Sequence, residues 1–107
     1  MEPVISTYSG TEFRLDYPNV SMVHIVDIAH ALSNLCRFNG HSRKFYSVAE
    51  HAVHVSNVVI PAFALEGLLH DSAEAYISDV ISPMKTLIPL ICELEKRILV
   101  AVYSGVS

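Results

Sequence analysis

The sequence predicts an all-α bundle of about four to five helices carrying a small N-terminal β-hairpin. Three observations predict it. Apolar residues recur at three- and four-residue spacing from Ile25 onward. Ser47, followed three positions later by Glu50, opens a second such stretch. Strand-like alternation is confined to the region before Pro18. A chain of 107 residues folds around one core, so the hairpin (about 3–18) and the helical core (about 22–104) form one domain, 1–107.

In order, Val4, Ile5 and Tyr8 lead to the turn Ser9-Gly10, after which Phe13, Leu15 and Tyr17 alternate with polar residues, as a two-stranded flap does. From Ile25 to Cys36, the residues Ile25, Ile28, Ala29, Leu32, Leu35 and Cys36 share one helical face, with Asp27, His30, Asn34 and Arg37 opposite. Gly40, in the loop Phe38-Asn39-Gly40-His41-Ser42, stands where a left-handed cap is wanted. The next helix starts at Ser47 with Val48, Ala52, Val55 and Val59 as its stripe, and Pro61 stops it. A third helix runs from Phe63 to about Ile77, and Ser82-Pro83 suits the cap and first position of a short helical turn. Leu90 to Tyr103 closes the chain with Ile91, Leu94, Ile98, Ala101 and Val102 on one side.

Composition narrows the function classes. A net charge of −4 with seven basic residues disfavours a nucleic-acid polymer, whose binding rests on many phosphate neutralisations, and leaves room for a small phosphorylated ligand. The longest uncharged apolar stretch, Val55 to Leu65, falls well short of the roughly 20 residues of a spanning helix. The N-terminal MEPVISTYSG lacks the basic start and apolar run of a secretory signal, so a cytoplasmic protein without membrane contact is expected. Cys36 and Cys92 lack CxxC spacing and read as small reduced core residues. Half of the residues are apolar, a surplus that suggests surface buried against a partner, with a homodimer favoured, or against missing chain.

Chemistry concentrates on two helices. His51 lies between Val55 and Val58 on its helix, inside the core-facing arc, where an imidazole needs a partner. On the following helix His70, Asp71 and Glu74 share one side, with Leu65, Leu69 and Tyr76 largely opposite and Gly67 leaving space one turn before Asp71. The short connection through Pro61 and Ala62 makes the two helices neighbours. Two imidazoles and a carboxylate then converge, a donor set suited to a borderline or harder divalent cation.

The ordered residues Glu50-His51, then His70-Asp71-Ser72-Ala73-Glu74-Ala75-Tyr76-Ile77-Ser78-Asp79, then Pro83-Met84-Lys85, resemble the core of the HD-domain metal-dependent phosphohydrolases. The closest likeness is to bacterial 5′-deoxynucleotidases and phage dATP triphosphohydrolases. Asp27 to Ser33, Arg37 to His41 and Phe45 to Val48 are similar to the phage and prophage branch. The likeness runs from about Tyr8 to about Ala101 and implies the helical bundle of that family. It implies a hydrolase of small (deoxy)nucleotides using one divalent metal ion (Mn, Co, Fe, Zn, Ni or Mg) held by His51, His70 and Asp71. It gives Glu74 and Asp79 catalytic roles near the attacking water, and Arg37 and Lys85 roles at the phosphates. Phe38 is a candidate for packing on sugar or base, His41 for lining the pocket, and His30 for a structural hydrogen bond.

Family members take a fourth ligand, an aspartate, from a later helix that the chain does not reach by Ser107. Asp16, Asp27 or Glu93 could replace it locally, although spacing favours none of them. A partner subunit could complete the site instead. Two readings follow: a phosphohydrolase, and a catalytically inactive remnant or fragment that binds nucleotide or metal or serves as an interaction module. The retained Glu74 and Asp79 favour the enzyme.

Overall fold

Val4–Ser6 (β1) and Glu12–Arg14 (β2) pair antiparallel, with Ile5 opposite Phe13, in the computed structural model, which describes residues 1–106. Gly10, at φ 87°, supplies the left-handed residue of the connecting turn. Alternation turns Phe13 inward, where it is fully buried and stacks on Tyr76 at 3.8 Å between centroids. The hairpin thus serves as one wall of the core.

The first helix, α1 (Ile25–Asn34), is two residues shorter than expected. The next segment is claimed by another partner: Cys36 forms an antiparallel bridge to Ser47, Arg37 N–H donates to Tyr46 O, and Val48 N–H to Leu35 O. These bonds close residues 36–47 into a loop. Its tip is a run of left-handed residues, Phe38 (φ 59°), Asn39 (φ 54°) and Gly40 (φ 83°), so the expected glycine is one of three. The face of α1 also differs from its pattern. Ile28 and Leu32 are buried, but Ile25 is exposed and Asp27 is buried, its carboxylate accepting from Ser9 N–H (2.7 Å) and Ser9 Oγ (2.8 Å). A charge is tolerated there because both oxygens are hydrogen-bonded.

Helix α2 (Val48–Val58) starts as expected, Ser47 Oγ accepting from Glu50 N–H at 3.0 Å. The Glu50 side chain lies 3.7 Å from His54 instead, so only half of the capping box forms. Pro61 opens a 3₁₀ turn, Pro61–Phe63, leading into α3 (Ala64–Leu69). The single helix expected over 63–77 is broken. Ser72, Glu74, Ala75 and Tyr76 each donate to the carbonyl three residues back, a tighter winding that carries the chain through residues 70–73 into the one-turn α4 (Glu74–Ile77). Helix α5 (Ser82–Leu87) has Ile81 at its cap, making Ser82 its first residue instead of its cap. Helix α6 (Leu90–Val106) buries Ile98, Ala101 and Val102 as its spacing requires.

Phe13, Ile28, Leu32, Val48, Ala73, Tyr76, Ile98 and Val102 form the core. Cys36 is half-buried and Cys92 exposed, both as free thiols, so neither is the core residue expected. Among the described residues no helix is long and apolar enough to cross a membrane.

Candidate metal centre and cleft

Three donors meet where α2 faces the turn after α3. His51 comes from α2, and His70 and Asp71 from the first residues past α3; one ligand atom of each lies within 4.8 Å of the others. Asp71 Oδ2 is 3.0 Å from His70 Nε2 and 3.5 Å from His51 Nε2. Gly67 brings these elements together: a Cβ there would stand 3.3 Å from both Val55 Cγ1 and Val59 Cγ2. The space expected beside Gly67 is therefore filled by α2. Its carbonyl has a second task, accepting from His70 Nδ1 at 2.6 Å.

That bond decides what the other nitrogen offers. With the proton on Nδ1, His70 Nε2 presents a lone pair to a carboxylate oxygen 3.0 Å away, an arrangement that is repulsive unless a positive charge lies between them. Burial, and then the Arg37 charge, hold His51 below the ordinary imidazole range, partly offset by Asp71. The shift favours the neutral imidazole, the form able to offer a lone pair to a cation. Two nitrogens and one carboxylate oxygen, converging and only partly buried, fit a divalent cation.

The donors border a cleft of about 620 Å³, also lined by Arg37, Phe38, Glu74, Asp79 and Lys85. Glu74 is buried, and burial followed by the charges of Asp71 and Asp79 pushes its carboxyl up to about 8. Asp79 follows Ser78, whose φ of 76° and ψ of 171° belong to a region that glycine normally occupies. The Arg37 guanidinium lies over the rings of Phe38 (4.6 Å) and Tyr46 (5.5 Å), which hold it at the cleft. Lys85 is engaged by Glu95 of α6, 3.0 and 3.1 Å from its two oxygens.

Of the nine residues singled out in the sequence, eight line this cleft. His41 does not; it is exposed in the 36–47 loop, just past the tight turn in which its N–H donates to Phe38 O. His30 stacks on Tyr8 at 3.8 Å instead of forming the structural hydrogen bond expected. The local replacements for a fourth ligand also lie elsewhere: Asp16 pairs with Arg14, Asp27 with Ser9, and Glu93 is exposed on α6. Sequence reasoning missed Tyr46 and Glu95. Tyr46 had a signal, an aromatic residue next to Ser47 and so near the start of the helix bearing His51.

No family model matches the chain. It is 48% identical over 94 residues to the uncharacterized protein YfdR of Escherichia coli K12, an alignment covering 88% of this chain and 53% of that protein. It is 35% identical over 105 residues to an uncharacterized protein of Rhodobacter capsulatus, covering 89% of this chain and 54% of the relative. The chain is thus similar to bacterial proteins of which it spans about half the length.

Proposed function

We propose that the chain carries the metal-binding site of an HD-superfamily phosphohydrolase acting on small nucleotides. The observation that supports it most is the convergence of His51, His70 and Asp71 in a cleft that also holds Glu74, Asp79 and Arg37. A divalent cation bound by the three donors would supply a water of lowered pKa and polarise a phosphoryl oxygen.

The side chains divide the remaining work. Asp79 takes a proton from the attacking water; Glu74, whose carboxyl is pushed up to about 8, gives its proton to the leaving oxygen. Arg37, resting against two rings, balances charge on the non-bridging oxygens, and Phe38, 53% exposed, offers a face to sugar or base. A second reading, a nucleotide- and metal-binding module without turnover, draws support from the three ligand side chains found among the described residues. A homodimer would cover the apolar groove formed by Val23, Ile25, Val26, Leu65 and Leu68, and light scattering tests that.

The test is product analysis by ion-exchange chromatography after incubation with manganese or cobalt and a panel of deoxynucleoside mono- and triphosphates. Nucleoside with phosphate or triphosphate is expected, and is lost in Asp71→Asn. A folded chain that binds the metal and releases no product with any member of the panel selects the binding module.

A further inference from the structure

Two cations line the cleft, and they are held in different ways. Arg37 meets aromatic faces and, among the described residues, no carboxylate at salt-bridge distance. Lys85, on α5, is closed into a pair with both oxygens of Glu95, on α6. The two side chains are 27% and 18% exposed, so water screens them less than a surface pair. Glu95 itself does not line the cleft. The cleft's other charged groups are the carboxylates of Asp71 and Asp79, which leaves Arg37 as its one unopposed positive side chain.

We infer that Glu95 is a specificity-determining residue, which by neutralising Lys85 suits the cleft to a nucleoside monophosphate and disfavours a triphosphate. The inference rests on reading the cleft as a nucleotide site. A monophosphate brings a charge of about −2, which Arg37 and a cation held by His51, His70 and Asp71 can balance. A triphosphate lays further negative charge along the cleft, where Lys85 is the next cation. That charge is already cancelled, and the Glu95 carboxylate stands behind it. To follow a distal phosphate, Lys85 must give up its charge-assisted bonds to Glu95. A residue that touches no substrate thereby sets how much phosphate charge the cleft accepts.

Isothermal titration of the wild type and Glu95→Gln with dAMP and with dATP, at one free manganese concentration, tests this; comparing proteins for each ligand cancels chelation of the metal. Glutamine keeps an acceptor for Lys85 while removing the charge. The expected result is dATP bound about tenfold more tightly by Glu95→Gln, with dAMP changed less than about twofold. Lys85→Met is an independent arm: it leaves the Glu95 carboxylate unopposed and should weaken dATP about tenfold and dAMP less than about threefold. Equal changes for both ligands, or unchanged dATP affinity in both variants, overturn the inference and leave the nucleotide site standing. Absence of binding by either ligand to any of the proteins overturns that site, and the inference with it.

Discussion

Glu74 carries the clearest consequence of a single side chain. Its carboxyl is raised from 4.5 to about 8, mainly by burial, so folding favours the neutral form. Its contribution to stability is complete below about pH 4.5 and is lost as the pH rises through about 8. In chelator-treated protein, Glu74→Gln should match the wild type near pH 5 and melt about 5 °C or more above it by pH 8.5. Parallel melting curves would return Glu74 to the ordinary carboxylates. Ser78 offers a second test: at φ 76° and ψ 171° it holds a conformation suited to glycine, next to Asp79. Ser78→Gly is expected to raise stability by about 1 kcal/mol in denaturant titrations, relief of strain outweighing the added unfolded-state entropy. Destabilisation would mean that the serine side chain is needed there. At this scale the sequence was informative about which donor side chains meet and silent about their supports. His51, His70 and Asp71 could be placed by helical spacing, whereas the Glu95 partner of Lys85 depends on how α5 and α6 meet.

Helices show the same division. Starts marked by local chemistry were legible, as at Ser47, where one hydroxyl caps α2. The break between α3 and α4 was not, because the winding changes from four-residue to three-residue bonding without any glycine or proline in residues 70–73. The end of α1 was also hidden, since the Cys36 bridge to Ser47 that competes with helix is non-local. Gly67 is where element packing and site meet. Gly67→Val would drive side-chain atoms into Val55 and Val59 and separate α2 from α3. We expect a loss of about 1–3 kcal/mol in stability and at least about a tenfold loss of manganese affinity by calorimetry, because His51 and His70 ride on the separated elements. Unchanged metal affinity would show that the donors do not depend on this contact.

For the whole molecule, a cation that binds only the folded arrangement of His51, His70 and Asp71 must stabilise it. Manganese at a hundred times its dissociation constant should add about 2.7 kcal/mol, or about 10 °C in melting temperature for a domain of this size, and should do so much less in Asp71→Asn. Equal shifts in both proteins would place the bound ion elsewhere. The apolar surplus in the composition is visible as exposed Ile25, Val26 and Leu65. No pattern in the sequence marked those three for exposure, since the spacing assigned Ile25 to the buried face of α1.

The stacking of Phe13 on Tyr76 also bears on how the chain folds. Phe13 is the largest fully buried side chain, yet its partner ring belongs to the turn of helix that begins with Glu74. Contacts so distant in sequence slow folding, so the hairpin is expected to dock after the helices have assembled around Ile28 and Val48. During synthesis β1 and β2 emerge well before Tyr76, whose ring is the seat of Phe13. The turn that carries Glu74 to the cleft and the ring that seats Phe13 belong to one short helix, so docking of the hairpin and ordering of that side of the cleft are expected to be coupled.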